Sequence, residues 1–293
     1  MYTFVMNKSI HVRSLGIYDY RSYVGNERHA RSLLVSIRWP DGVRCPRCSS
    51  DDIWLMQEDF RCKGCGYHFS VITGTFFERS RLKVSQWILA IGLFKVGING
   101  LGLAWALGCN YKSARKILRT LRQVASKDPL LQQLQGEIEV DEAYYGGRQK
   151  GKRGRGGKHK MPVLGFKERG GKVKTVVVPN VSGDTLSQTT KRYVAKGSTV
   201  YTDGFRSYND LIHEGFDHIP FDHSVHFTKT DVIHTQGIEG HWGHTKPITK
   251  ARYRRITLKS LPGICAENDF RTNNRQNSDF IRLMLNQLLK FYP

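Results

Sequence analysis

Two folded parts are expected from this sequence. One is a mixed α/β domain over residues 136–275, and the other is a small metal-bound ribbon joined to a helical module ahead of it. Three observations lead there. Two Cys-x-x-Cys pairs lie between Cys45 and Cys65. A stretch with helical apolar periodicity and no acids covers residues 81–127. From Glu137 onward, three strand-like runs precede alternating helical and strand-like segments.

The elements follow in chain order. Residues 1–42 form an N-terminal helical arm, whose amphipathic stretch Ala30–Arg38 ends before Trp39-Pro40. Residues 43–76 hold the Cys pairs and two β-prone runs, Ile53–Met56 and Tyr67–Ile72. The most apolar stretch, Trp87–Leu107, is broken by Lys95, Asn99 and four glycines. Two short packed helices fit it better than a membrane span. The module of residues 81–128 closes near Asp128-Pro129. Strands are then expected at Glu137–Tyr145, Met161–Lys167 and Val173–Val178. A helix over Thr185–Ala195, a strand at Ser198–Thr202, a short helix at Tyr208–His213 and a strand near Ile219–Phe221 follow. Helical patterns run from about residue 237, and Asp279–Lys290 lies in a separate C-terminal helix of residues 276–293.

The charge narrows the partner. The chain has 293 residues with 46 Lys+Arg against 25 Asp+Glu, a formal net charge of +21. Such a balance calls for a polyanion, most simply nucleic acid. The first 20 residues lack an apolar export segment, so a cytoplasmic, nucleoid-associated protein without a membrane partner is expected.

The cysteines read as a metal site. Cys45-x-x-Cys48 and Cys62-x-x-Cys65 are separated by 13 residues, enough for one β-hairpin. Each pair forms a tight loop that points two thiolates at one ion, and two loops close a tetrahedral structural Zn²⁺ site. Cys109 and Cys265 stand alone and are read as small buried residues.

The helical module reads as a DNA reader. In Tyr111–Ala125, Lys112, Arg115, Lys116, Arg119 and Arg122 recur at helical spacing, with Ala114, Ile117, Leu118, Leu121 and Ala125 opposite them. One face can bury while the other meets phosphates. The preceding Leu101–Leu107 helix and the Gly108-Cys109-Asn110 turn complete a helix-turn-helix pattern.

Three separated carboxylates suggest chemistry. In Glu137-Ile-Glu-Val-Asp141, alternation sends Ile138 and Val140 to the core and Glu139 and Asp141 to the other side. Asp203 ends a later strand in Val200-Tyr-Thr-Asp203-Gly204. Glu239 lies in Ile238-Glu-Gly-His-Trp242; on a helix it shares a face with Lys246. Three acids on different elements can hold two Mg²⁺ ions, with Lys246 gripping a nearby phosphate.

These residues resemble the ISXO2-like insertion-sequence transposases (the IS1595 group). The resemblance covers roughly residues 28–275. It rests on Arg38-Trp-Pro-Asp-Gly-Val-Arg-Cys45-Pro-Arg-Cys48, Phe60-Arg-Cys62-Lys-Gly-Cys65 and Ser70-Val-Ile-Thr-Gly-Thr75. It continues through Val140-Asp141-Glu-Ala-Tyr-Tyr-Gly-Gly147, Val200-Tyr-Thr-Asp203-Gly204 and His234-Thr-Gln-Gly-Ile-Glu239-Gly-His-Trp242 with Lys246. It implies a zinc ribbon followed by a ribonuclease-H-like DDE domain. In that reading Asp141, Asp203 and Glu239 bind catalytic Mg²⁺, with Mn²⁺ as a substitute, and Lys246 contacts DNA. It further implies a DNA strand transferase acting on double-stranded DNA, at element ends and target, as a homo-oligomer. Departures from the family pattern fall at Gln236, His241, His244 and Pro247, and Pro247 is expected to interrupt the helix. The alternative is a zinc-ribbon DNA-binding regulator with an inactive transposase-derived domain.

Other motifs are set aside. Gly146-x-x-x-x-Gly151-Lys152 nearly spells a P-loop, but Arg153 stands where Ser or Thr is required. The Gly-rich tract 148–160 instead carries seven Lys/Arg, and a second basic run spans Lys250–Arg255. His241 and His244 are read as polar groups near the active centre and not as half a zinc site.

Overall fold

A computed structural model of the chain describes residues 20–127, 133–146, 160–203, 207–208, 214–221, 235–253 and 255–291. The Gly-rich basic tract up to His159, the Asp128-Pro129 boundary and residues 209–213 of the expected short helix lie outside them. The described chain divides into two units. One runs to Val124 and resumes at Gln276; the other is Ala125–Arg275. No described helix is long and apolar enough to cross a membrane.

The first unit begins with α1 (Arg21–Val24) and α2 (Glu27–Arg38). α2 starts three residues earlier than the apolar pattern indicates, because Asn26 caps it by accepting the His29 N–H. The ribbon is an antiparallel sheet of β1 (Ile53–Leu55), β2 (Phe60–Cys62) and β3 (His68–Phe69). The β-prone run Tyr67–Ile72 yields only two strand residues. Ser70 turns out of the sheet by donating its N–H to Thr73 Oγ1 at 2.9 Å. Trp39 packs edge-on against Phe60 and Phe69, which gives the small sheet a core.

Three helices follow: α3 (Val84–Val96), α4 (Gly100–Leu107) and α5 (Tyr111–Ser126). They match the expected pair of short helices and the helix-turn-helix. Asn99 and Asn110 supply the caps, accepting the N–H groups of Gly102 and Ser113 at 2.8 Å each. Glu27 reaches across from α2 and accepts the N–H groups of Val84 and Ser85 at 3.0 Å, holding the start of α3. The C-terminal helix α9 (Phe280–Leu289) packs on α2 and α3 through Phe280, Met284, Leu285 and Leu288. Lys95 donates to the Asn277 carbonyl at 3.0 Å, so the charge that breaks the apolar stretch is used inside this unit. Cys109 is only half-buried because it sits in the turn between α4 and α5; Cys265 is buried as expected.

The second unit is built on one mixed sheet. Its strands are β4 (Glu137–Tyr145), β5 (Met161–Glu168), β6 (Val173–Val177), β7 (Thr199–Asp203) and β8 (Asp217–Phe221). Their order is β6-β5-β4-β7-β8. The first three pair antiparallel, while β4–β7 and β7–β8 are parallel. α6 (Gly183–Tyr193) returns the chain to the sheet before β7, and α7 (Gln236–Arg252) and α8 (Leu261–Asn273) follow β8. Two apolar layers result. Ile138, Val140, Phe166, Leu186 and Val200 form one, and Ala143, Val163, Ile238, Trp242 and Leu261 form the other. This is the α/β, ribonuclease-H-like arrangement the sequence predicts.

One expectation fails in α7, which runs unbroken through Pro247. Proline removes one backbone bond and crowds the carbonyl four residues back, here that of Gly243. Ile238, Trp242 and Thr245 are buried ahead of the proline, and beyond it the buried Thr249 accepts the Asn268 side-chain amide of α8 at 3.0 Å, so packing holds the helix on both sides.

Candidate active site and zinc centre

The candidate zinc centre is assembled by the two cysteine loops of the ribbon. Cys45 Sγ lies 3.7 Å from Cys65 Sγ, and Cys48 Sγ lies 3.5 Å from Cys62 Sγ. All four sulfurs fall within 4.8 Å of one another, and none is in a disulfide. A tetrahedral ion with Zn–S bonds of about 2.3 Å requires sulfur–sulfur edges of about 3.8 Å, so the cluster fits zinc. The Cys65 N–H points at Cys62 Sγ (3.5 Å) and, against the effect of burial, holds that thiol down to about 6.

The basic face of α5 is laid out as its periodicity requires. Ala114, Ile117, Leu118, Leu121 and Ala125 are buried, while Lys112, Arg115, Lys116 and Arg119 are exposed and Arg122 is half-buried. Tyr111, Lys112, Arg115, Lys116 and Arg119 line one open groove. On α4, Trp105 is 87% exposed and Leu101 69%.

The carboxylates meet at the middle of the sheet, where the central strand β4 parts from β7. β4 and β7 pair in parallel with Val140 opposite Thr202, so Asp141 and Asp203 come one step beyond the last paired residues. Both lie on the strand face that also carries Glu139 and Tyr201, residues two positions earlier. The carboxylate oxygens of Asp141, Glu142 and Asp203 lie within 4.8 Å of one another. Burial, then the charges of Glu142, Asp203 and Glu239, push the Asp141 carboxyl up to about 7. An all-oxygen, anionic cluster of this kind suits a hard divalent cation.

Glu239 and Lys246 sit on α7. Glu239 is exposed, and its Oε1 accepts the Thr235 hydroxyl at 2.8 Å. Its charge reaches Asp141, but its oxygens are not among the three that lie closest together. Burial lowers the Lys246 ammonium pKa, while Asp141 pulls it up and Lys160 adds to the lowering. Lys246 also stands 6.0 Å from the Trp242 ring centre.

α7 approaches the sheet closely because Gly165, paired with Asp141, has no side chain. A Cβ there would fall onto Trp242 Cζ2 and come within 2.8 Å of Ile238 Cδ1.

Sequence reasoning missed two acids here. Alternation assigns Glu142 to the face opposite Asp141, yet its carboxylate joins the cluster while accepting the hydroxyl of the buried Tyr208 at 2.9 Å. Its only sequence signal is its place beside Asp141. Glu139 is 2% exposed and accepts the Ile238 N–H at the start of α7. His241 is also displaced from expectation. It is buried 3.8 Å from Asp269, inside the helix–sheet layer, and burial followed by the charges of Lys167 and His244 lowers it to about 4.

Comparison with known proteins finds two matching family models. The ISXO2-like transposase domain matches residues 133–273. The transposase zinc-ribbon domain matches residues 25–68. A protein of the transposable element ISH50 in Halobacterium salinarum is 29% identical over 235 residues, 72% of this chain and 76% of that protein. A transposase-like protein of Haemophilus influenzae is 36% identical over 119 residues, 41% of this chain and 94% of that protein.

Proposed function

The chain belongs to the ISXO2-like transposase family, and from that premise we propose that it is a Mg²⁺-dependent DDE transposase. In this reading it binds the terminal inverted repeats of its insertion sequence, cleaves at the element ends and joins them to target DNA. The observation that carries the reading is the meeting of Asp141, Glu142 and Asp203 within 4.8 Å, where the parallel pairing of β4 with β7 stops and β7 ends. Anions gather there although their burial and mutual repulsion oppose it, and a divalent cation relieves both.

Asp141 and Asp203 are assigned to hold the catalytic metal, with Glu239 completing the site from α7. Bound Mg²⁺ supplies an activated water or 3′-OH and neutralises charge on the phosphoryl oxygens of an in-line displacement. Lys246 fixes a DNA phosphate beside the acids, and no covalent protein–DNA intermediate is required. The zinc ribbon (residues 43–76) and the helix-turn-helix module (81–128) bind the element ends, with Lys112, Arg115, Lys116, Arg119 and Arg122 on phosphates. Pairing two ends calls for at least two copies of the chain, acting in the cytoplasm on the nucleoid.

The test uses purified protein and a DNA fragment that ends in the element's inverted repeat. Asp141→Asn and Asp203→Asn should each abolish Mg²⁺-dependent cleavage and strand transfer while end binding stays within a few-fold. Cleavage by either variant overturns the assignment. A wild-type protein that binds the ends and never nicks them supports the inactive DNA-binding regulator instead.

A further inference from the structure

We infer that Glu139 is a positioning residue that ties the helix of Glu239 and Lys246 to the strand of Asp141. The inference rests on the reading of those residues as the reacting centre. The two oxygens of Glu139 face in different directions. Oε2 accepts the Ile238 N–H at 2.9 Å, and Oε1 lies 3.4 Å from Arg169 Nε. Ile238 is in the first turn of α7, where backbone N–H groups have no partner within the helix. The positive end of the helix dipole favours a carboxylate at that point. Gly237 leaves the space, since a Cβ there would come within 2.7 Å of Glu139 Oε2.

Arg169 is fixed in turn. Its guanidinium lies 3.8 Å from the Tyr201 ring centre, and its Nη1 is 3.5 Å from Glu137 Oε1. The Tyr201 hydroxyl donates to that same oxygen at 2.7 Å. The set therefore spans β4, β7, the end of β5 and the start of α7. Its members precede the proposed acids closely. Glu139 comes two residues before Asp141, Tyr201 two before Asp203, and Ile238 one before Glu239. A carboxylate buried to 2% exposure joins the three acid-bearing elements, so its loss frees the α7 end relative to the strands. Glu239 moves with that end. Loss of a group that orients metal ligands lowers metal affinity or activity by about 10–100-fold.

The experiment measures Mn²⁺ binding by electron paramagnetic resonance alongside cleavage and end binding. Glu139→Ala should weaken Mn²⁺ binding and cleavage by about 10–100-fold, with end binding nearly unchanged. Glu139→Gln keeps an acceptor for the Ile238 N–H and should recover a large part of the loss. In a Glu239→Gln background, Glu139→Ala should weaken Mn²⁺ binding no further, because the effect runs through Glu239. Equal loss in both backgrounds, or a Gln variant no better than Ala, overturns the inference. Should Glu139→Ala fail to fold, Gly237→Ala disturbs the same contact from the helix side and serves in the same comparison. Failure of the functional reading shows separately, as Asp141→Asn protein that still binds Mn²⁺ and cleaves.

Discussion

Asp141→Asn is expected to stabilise the metal-free protein while it destroys activity. The Asp141 carboxyl is pushed from 3.8 up to about 7 by burial and by Glu142, Asp203 and Glu239. Folding therefore favours the protonated form. The sign follows: between these two values the folded state binds more protons than the unfolded chain, so stability falls as pH rises through that window and then levels off. Each pKa unit is worth about 1.4 kcal/mol, which gives a ceiling of about 4 kcal/mol for keeping the group charged. Asp141 is partly open to solvent, and screening brings the realised value to about 1–3 kcal/mol. Asn carries no charge at any pH. In chelator at roughly pH 9 the variant should melt about 3–8 °C above wild type, and at roughly pH 4 the difference should nearly vanish. Millimolar Mg²⁺ should raise the wild-type melting temperature and leave that of the variant almost unmoved. Amide exchange along β4 assigns the change to the second unit. A variant less stable than wild type in chelator at high pH would refute the reasoning. It would mean that donors satisfy the Asp141 charge and that no cation is needed there.

Three further outcomes test other parts of the molecule. Lys112→Ala or Arg119→Ala should weaken end binding and make its logarithmic salt slope shallower by about 1 each; an unchanged slope removes that residue from the phosphate contacts. Removing zinc with a chelator, or replacing Cys62 by Ser, should abolish the fixed fold of the ribbon. Unchanged near-ultraviolet signal from Trp39 and Trp54 would contradict that. Gly165→Ala forces Trp242 and Ile238 away from the sheet and should destabilise the second unit by about 1–3 kcal/mol. It should also lower cleavage far more than end binding, since α7 carries Glu239; equal losses in both would argue against that coupling.

Local rules made most of this legible in the sequence. The cysteine spacing gives the four-sulfur cluster. The helical period of Tyr111–Ala125 separates buried from exposed residues correctly, apart from Arg122, which is half-buried. Strand alternation places Asp141 and Asp203 on one face, but their proximity depends on the β4–β7 register, a contact across more than 50 residues that no local pattern encodes. The same limit explains Glu139. Alternation turns it from the first apolar layer, and only the long-range arrival of α7 buries the face it then occupies. Pro247 is a related case: its tendency to break a helix is local, and the packing that overrides it is not.

The sign of its neighbours distinguishes the proposed metal-binding acid from the other buried carboxylates of this fold. Several carboxylates of the second unit are buried, and burial alone does not mark a site. Glu139 is met by a backbone N–H and a guanidinium. Asp269 is met by the N–H and hydroxyl of Thr175, at 2.7 and 2.8 Å. Glu267 is met by the Tyr253 hydroxyl at 2.9 Å. Each of these charges has donors in the fold. Asp141 also has the Glu142 backbone N–H, and burial raises Asp269 to about 7 as well; Asp141 differs in that the strongest charges acting on it are other acids, with Lys246 on the helix side. In a chain with 46 basic residues against 25 acidic ones, such a cluster of acids stands out. Lys246 acts on this cluster from the helix side, and in the proposed function a bound cation adds to that compensation. In the proposed function that cation is divalent and matched to oxygen ligands, and the basic groups elsewhere would bring in DNA.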